Sequence, residues 1–202
     1  MKYAARMLFI ALWSSFSLAA IAASLSVQVN DQTSAALSDA IVYAVPVNGK
    51  TSLKSPESAV IDQVSKRFVP LVSVIQTGAA VHFPNKDNIR HHVYSFSPAK
   101  TFELKLYSGV PAKPVVFDKP GVVIMGCNIH DSMVAYVLVV DTSWFAKTDA
   151  TGAARIEGLS AGEYEVHVWH YRAVSPAGTV VGNVKMDANS DLKTSIEVKP
   201  AT

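Results

Sequence analysis

The sequence predicts an all-β protein. Short runs that alternate apolar and polar residues recur along the chain, as in residues 25–30, and such alternation is typical of strands with one buried face. Turn-forming residues separate these runs at short, even intervals, whereas the 3.6-residue period of a helix is nearly absent. Together these features favour a β-sandwich or a β-barrel.

Nine strands are expected in the first two thirds of the chain, each bounded by turn residues such as Thr77-Gly78 or Lys119-Pro120-Gly121. They cover residues 25–30, 40–45, 68–75, 80–83, 92–96, 102–107, 115–117, 122–125 and 133–140. Residues 50–58 are polar and contain a proline, so a loop is predicted there.

The last third of the chain is expected to add four strands. They cover residues 155–157, 163–169, 180–186 and 192–198. The run 163–169 alternates most regularly, with Tyr164 beginning its apolar side. His167 and His170 flank Trp169 and have no acidic or thiol partner nearby in sequence, so we interpret them as surface histidines and not as a second metal site.

The first 22 residues are expected to be a cleaved secretory signal peptide. Lys2 and Arg6 give a positive start, residues 7–22 are mostly apolar, and Ala20-Ile21-Ala22 provides the small residues of a cleavage site. The alternative is a membrane anchor, but serines interrupt the run and it is shorter than the roughly 20 apolar residues that span a bilayer. We therefore expect a periplasmic or secreted protein without a membrane anchor after cleavage.

The charge balance argues against a nucleic-acid partner. The chain has 18 Lys+Arg and 16 Asp+Glu. Because Lys2 and Arg6 fall in the expected signal peptide, the mature protein is formally neutral, and it has no basic run. Nucleic-acid phosphates require clustered Lys and Arg, so we expect no binding of nucleic acid.

The single cysteine, Cys127, needs an explanation in an exported protein. Structural cysteines in an oxidising compartment usually occur in pairs. Cys127 is followed by His130 and Met133 on a segment between two predicted strands. A thiolate, two imidazoles and a weak thioether ligand define a blue-copper site, so this loop could supply three of the four ligands.

His91 and His92 are the candidates for the second imidazole. Neighbouring residues of a strand point to opposite faces, so only one of them can bind the same ion. His91 shares a face with the apolar Val93, which is the face on which a buried metal would lie. We therefore predict His91 as the ligand, and His92 stays the alternative.

The segment from about residue 63 to residue 141 resembles a cupredoxin of the plastocyanin and amicyanin kind, and in particular the cupredoxin-like methylamine utilisation proteins. Its Cys-x-x-His-x-x-Met loop is similar to the short ligand loop of amicyanin. Val81-His82-Phe83-Pro84-Asn85, followed by His91-His92-Val93, is similar to the family pattern V-x-F-x-N … P-H-N-V.

The resemblance implies a Greek-key β-sandwich with one type 1 (blue) copper ion at one end. It assigns His91, Cys127, His130 and Met133 as the copper ligands, with His130 partly exposed. One position departs from the family, which usually has an asparagine after the first histidine to tie the two ligand loops together. This chain has His92 there, and Asn128 is the candidate for that tether.

A second resemblance concerns the remainder of the chain. Residues 148–152 and 156–164 are similar to the pattern of the carboxypeptidase regulatory-like, transthyretin-type sandwich, and residues 37–43 match its usual beginning. This implies a discontinuous, Ig- or transthyretin-like sandwich of residues 23–55 and 143–202, into which a cupredoxin domain of residues 56–142 is inserted.

The leading hypothesis for the function is one-electron transport in the periplasm, with an exported dehydrogenase, cytochrome or oxidase as redox partner. The first alternative is a copper-binding or copper-handling protein, because the polar Asp131-Ser132 segment could let copper exchange. The second is a β-sandwich binding module without a redox role. We do not expect an enzyme, since a site filled by Cys, Met and two His leaves no position for a substrate.

Overall fold

The computed structural model describes residues 23–48, 54–111 and 113–200. These ranges contain β-strands and no helix, which confirms the predicted all-β class. They accordingly supply no helical membrane span. The expected signal peptide, residues 1–22, lies outside the described residues.

The strands follow the chain in this order: β1 (Ala23–Asp31), β2 (Ile41–Pro46), β3 (Ala59–Val60), β4 (Asp62–Val64), β5 (Arg67–Val69), β6 (Val72–Gln76), β7 (Ala79–His82), β8 (His91–Ser97), β9 (Lys100–Tyr107), β10 (Val115–Phe117), β11 (Gly121–Gly126), β12 (Val134–Val140), β13 (Phe145–Lys147), β14 (Ala153–Leu159), β15 (Gly162–Trp169), β16 (Thr179–Met186) and β17 (Ser190–Ile196).

The middle of the chain forms one sandwich. A five-stranded sheet in the order β6-β12-β11-β8-β9 shares a core with a three-stranded sheet in the order β10-β7-β3, and β4 and β5 form a separate hairpin. The strands of the five-stranded sheet are antiparallel except for the parallel pair β12 and β6. Apolar side chains of both sheets fill the core between them, among them Val81, Phe117, Val123 and Val137.

Strands from the two ends of the chain form the other sandwich. One sheet has the order β14-β1-β17 and the other the order β13-β2-β15-β16. The alternation predicted for residues 163–169 is present, because Tyr164, Val166 and Val168 all point into the core between these sheets. That the two chain segments make a domain interrupted by an inserted one stays a prediction.

A third apolar core joins the two sandwiches. β12 alternates between two cores, with Ala135, Val137 and Val139 on one face and Leu138 and Val140 on the other. The second face packs against Ile41 and Trp169 of the other sandwich. Burial on both faces explains why β12 reads as an almost continuous apolar run rather than an alternating one.

Truncating Leu138 to alanine is expected to lower the free energy of unfolding by roughly 2–5 kcal/mol, because it leaves a cavity in the core that joins the sandwiches. Ile124→Ala on the neighbouring β11 is the matched control, since Ile124 is half exposed, and it should cost about 1 kcal/mol or less. Urea unfolding measures both variants. Equal losses would contradict the buried contact between the sandwiches.

The main difference from the predicted strands lies at residues 68–75, which were expected to form one strand. The structure divides this segment into β5, which pairs with β4, and β6, which pairs with β12. Pro70 lies between them, and a proline has no N–H to donate to a strand ladder. The short strands β3, β4 and β13 were not predicted.

Candidate metal centre

The strand ends that carry the candidate ligands lie at the same end of the five-stranded sheet. β11 ends at Gly126, immediately before Cys127, and β12 begins immediately after Met133. β8 begins at His91 and runs antiparallel to β11, with Tyr94 opposite Gly126. The start of β8 therefore lies beside the loop that carries the other three candidates.

His91, Cys127 and His130 come together as a compact group. One potential ligand atom of each lies within 4.8 Å of those of the other two. Within the described ranges, no other three His, Cys, Asp or Glu side chains form a group of this kind. The two histidine rings meet edge to face, with centroids 5.1 Å apart, so a nitrogen of each can face a common centre.

The hydrogen bonds of the histidines show which nitrogens are available. His91 Nε2 lies 2.8 Å from a carboxylate oxygen of Asp87, whereas Nδ1 of His91 and Nδ1 of His130 are buried and have no hydrogen-bond partner; the same is true of Nδ1 of His92, which lies outside the group. A buried polar atom without a partner is costly unless something else binds it. A metal ion coordinated by both Nδ1 atoms would remove that cost.

The three side chains differ in their access to solvent. His91 is 0% exposed and Cys127 is 3% exposed, while His130 is half-buried. Cys127 forms no disulfide. The group could thus hold one metal ion at the end of the sandwich. Of its three side chains, His130 is the one that is partly exposed to solvent.

Met133 lies in the same core as Cys127. Its side chain is 1% exposed and belongs to the cluster that also holds Phe83 and Met125. Its backbone N–H donates to the His130 carbonyl at 2.9 Å, which folds the loop into a turn after the histidine. Met133 as the fourth ligand stays a prediction.

His92 points away from the three-residue group. Its Nε2 lies 2.8 Å from a carboxylate oxygen of Glu103 on β9, and its ring lies beside that of Tyr94, with centroids 5.5 Å apart. This arrangement follows from the alternation along β8, where His91 and Val93 face the core. It favours His91 over His92 as the ligand.

The hydrogen bonds of Asn128 and Asn85 differ from those expected for a tether between the ligand loops. Asn128 is exposed and makes no hydrogen bond within the described part of the chain. Asn85 instead donates from Nδ2 to the carbonyls of Ile89, at 2.8 Å, and Tyr107, at 2.9 Å. A tether from Asn128 is therefore not seen; Asn85, already noted as part of the family-like motif, fastens the His91 loop to the end of β9 and not to the loop of Cys127.

The buried Gln63 and the half-buried Tyr107 support the loop before His91. Tyr107 donates its hydroxyl to the Phe83 carbonyl at 2.6 Å, and Gln63 donates to the same carbonyl and to the Tyr107 oxygen. Burial raises the pKa of Tyr107 to about 12, so the phenol keeps the proton that it donates. The sequence analysis missed both residues, because no motif connects them with the ligands.

Gly126 permits a close approach at the beginning of the ligand loop. A Cβ at this position would lie 2.9 Å from the ring of Tyr94, a distance at which atoms clash. The tyrosine ring therefore lies directly on the backbone beside Cys127. A side chain at residue 126 would displace either the ring or the loop.

The donor set fits copper. Thiolate and thioether sulfur are soft ligands that favour Cu(I), whereas imidazole suits several transition metals, and the combination of two imidazoles with one thiolate is that of a blue-copper site. Zinc sites also use Cys and His, but structural ones are closed by four such ligands. Here the described group contains three, and the sulfur nearest in sequence is that of Met133.

Comparison with known proteins finds similarity only at the level of structure. No family model matches the sequence, and no curated protein does. Among solved structures, a purple cupredoxin from Nitrosopumilus maritimus is 23% identical, with 41% of this chain and 99% of that chain covered and a TM-score of 0.36.

The descriptions of two further structural neighbours name copper. A reduced Cu(I) form of an amicyanin variant is 16% identical, with 48% of this chain and 99% of that chain covered and a TM-score of 0.37. A Cu-containing nitrite reductase from Thermus scotoductus is 23% identical over 48% of this chain, with a TM-score of 0.39; the match covers only 25% of that enzyme. The carboxypeptidase regulatory-like resemblance has no counterpart among these neighbours and stays a prediction.

The two histidines of the other sandwich are less exposed than the sequence suggested. His167 stacks on Tyr43, with ring centroids 4.6 Å apart. Its Nε2 lies 2.7 Å from a carboxylate oxygen of Glu165, so the expectation that it has no acidic partner nearby in sequence is wrong. His170 is 2% exposed, and its Nδ1 accepts a hydrogen bond from the Arg172 backbone at 3.1 Å. The interpretation of His170 as a surface residue is therefore wrong, because its ring packs beside that of Tyr171, with centroids 4.4 Å apart, and against the backbone of Ser38.

The buried His170 is expected to make the protein less stable in acid. Burial, and secondarily the positive charge of Arg172, lowers its pKa from 6.5 to about 4. Below pH 6.5 the unfolded chain takes up a proton that the folded protein does not, so stability falls as the pH falls from about 6.5 to 4. The loss is roughly 2–3 kcal/mol.

Urea unfolding at pH 7 and pH 4.5 tests this expectation. His170→Asn keeps a hydrogen-bond acceptor but cannot bind the proton, so its stability should depend less on pH than that of the wild type. An identical pH dependence in both proteins would contradict the assignment to His170.

Proposed function

We propose that this protein binds one copper ion through His91, Cys127, His130 and Met133 and carries single electrons between exported redox partners. The observation that carries the proposal is the group of His91, Cys127 and His130, whose potential ligand atoms lie within 4.8 Å of one another at the end of a β-sandwich. Bound copper would supply a centre that alternates between Cu(I) and Cu(II).

The burial of the site supports electron transport over copper transfer. His91, Cys127 and Met133 are each at most 3% exposed, so an acceptor protein cannot reach them without opening the loop. Asp131 and Ser132 are exposed, but neither belongs to the group that would hold the ion. A copper-handling protein needs ligands that can be exchanged one by one with those of an acceptor.

The rigidity of the site supports the same conclusion. His91, Cys127 and Met133 lie at the ends of β8, β11 and β12. These strands are hydrogen-bonded neighbours in one sheet, and β12 is buried on both faces. Side chains held in this way change position little when the charge of the ion changes. A small change in geometry keeps the barrier to electron transfer low.

His130 is the side chain through which electrons would enter and leave. It is the one member of the group that is half-buried rather than buried, and Ile129 beside it is exposed. A small contact at a partly exposed ligand suits the brief association of an electron-transfer pair, which needs little buried area. We propose an exported dehydrogenase, cytochrome or oxidase as that partner, and no enzymatic activity of this chain.

The proposed function is tested by comparing electron exchange with copper exchange. The copper-loaded protein is mixed in its Cu(I) and Cu(II) forms, and electron self-exchange is measured from the broadening of proton resonances. In parallel, the Cu(I) form is mixed with a copper chelator, and loss of copper is followed over time. Fast electron exchange with slow copper loss is expected; slow electron exchange with rapid copper loss would replace the proposal by copper handling.

A further inference from the structure

The buried histidine of the metal group, His91, contacts a carboxylate through the ring nitrogen that does not face the predicted ion. Asp87 Oδ2 lies 2.8 Å from His91 Nε2, with the histidine side chain fully buried and that of Asp87 only 15% exposed. An ionised carboxylate can only accept hydrogen bonds. The proton of His91 is therefore on Nε2, which leaves the lone pair of Nδ1 directed to the other side of the ring.

Two backbone amides fix the carboxylate in turn. The N–H of Ser65 donates to Asp87 Oδ1 at 2.7 Å, and that of Lys66 donates to Oδ2 at 2.9 Å. Ser65 and Lys66 have φ angles of 53° and 58°, the left-handed pair that forms the tight turn between β4 and β5. This turn aims both amides at the side chain of Asp87.

The carboxylate is thus held by three donors from two parts of the chain. With its oxygens occupied in this way, it can neither rotate away from His91 nor easily accept a proton of its own. Carboxylates in this position behind a metal-bound histidine orient the ring and make it a stronger donor to the metal. The structure assigns no other partner to Nε2 of His91 within the described residues.

We propose that Asp87 is the positioning residue of the metal centre: it holds the His91 ring with Nδ1 toward the ion, and its negative charge favours Cu(II) over Cu(I). This inference rests on the proposed copper function. A more basic imidazole backed by an anion stabilises the higher charge of Cu(II) more than that of Cu(I). Asp87 therefore lowers the reduction potential of the site.

The neighbouring histidine provides a matched control. His92 Nε2 also lies 2.8 Å from a carboxylate oxygen, that of Glu103, but His92 is outside the metal group and Glu103 is half exposed. Asp87→Asn and Glu103→Gln each remove one negative charge and keep a similar shape. Only Asp87→Asn removes a charge that is in contact with a predicted ligand.

The test measures Cu(II) affinity, Cu(I) affinity and reduction potential in the full-length mature protein and both variants. Asp87→Asn is expected to lose about 10–100-fold in Cu(II) affinity and less in Cu(I) affinity. Its potential should rise by about 59 mV for each tenfold change in the ratio of the two affinities. Glu103→Gln should match the wild type.

Equal losses of Cu(I) and Cu(II) affinity in Asp87→Asn, or a potential unchanged from that of Glu103→Gln, would overturn the role of Asp87 while leaving the copper function intact. A wild type that binds no copper would instead contradict the proposed function. The two failures are therefore distinguishable.

A second measurement uses the wild type alone and so does not depend on the folding of a variant. In the diamagnetic Cu(I) form, the Nε2 proton of His91 is expected as a slowly exchanging nuclear magnetic resonance signal, because Asp87 holds it in a buried position. A ring whose Nε2 is bound to copper, or whose Nε2 proton exchanges at the rate of an exposed imidazole, would overturn the inference.

Discussion

Replacing Cys127 by serine is expected to abolish the intense visible absorption of the copper-loaded protein. That absorption arises from charge transfer between a thiolate and Cu(II), and Cys127 is the only cysteine of the chain. A serine hydroxyl stays protonated at neutral pH and is a poor ligand for copper. The Cu(II) affinity should fall by more than the roughly 10–100-fold that is typical when a hydrogen-bond partner of a metal ligand is removed.

The loss should come from the missing ligand and not from unfolding. Serine is close to cysteine in size, and a buried hydroxyl costs about 1–3 kcal/mol, which circular dichroism and urea unfolding of the metal-free protein will show. Met125→Leu is the matched control, because it removes a buried sulfur from the same core at a cost below about 1.5 kcal/mol. Retention of the visible band in Cys127→Ser, or its loss in Met125→Leu, would contradict the assignment.

Replacing His91 by alanine is expected to remove the visible band or to convert the site to one with much weaker Cu(II) binding, whereas His92→Ala should keep both band and affinity. The two rings are both buried, at 0% and 6% exposure, and both contact a carboxylate at 2.8 Å. The variants therefore lose similar packing and similar hydrogen bonds. They differ in that His91→Ala removes the imidazole on the side of the metal group, and His92→Ala removes the one on the opposite face of β8.

Copper titration of the two variants at equal protein concentration, followed by absorption, gives the comparison. A site that survives His91→Ala and disappears in His92→Ala would reverse the assignment and show that β8 binds the ion on its other face. Loss in both variants, with both proteins folded, would mean that the His92 imidazole is also needed for copper binding and would contradict the assignment of His91 alone.

Local patterns were enough to predict the fold class and to draw attention to the ligand loop. Alternation in residues 163–169 reflects one buried face, and the spacing of Cys127 and His130 on a loop between strands is visible without any structure. The choice of His91 also followed from alternation alone. These features depend on neighbours in sequence, which is why they can be read directly.

Features that depend on distant segments could not be predicted. Asp87 precedes His91 by four residues, but its role depends on a turn at Ser65 and Lys66, more than 20 residues earlier. The apolar run of β12 indicated burial, yet nothing in it identifies the other sandwich as the second neighbour. His170 looked exposed for the same reason, since the surface that covers it comes from elsewhere in the chain.

The central claim is that one ion is bound by one sulfur and two imidazoles at the end of β8 and β11. Titration of the metal-free protein with Cu(II), followed by absorption spectroscopy, tests it most directly. An intense visible thiolate-to-copper band that grows linearly and saturates at one copper per chain is the result expected. A protein that stays colourless after addition of excess Cu(II), while its strands remain folded by circular dichroism, would contradict the claim.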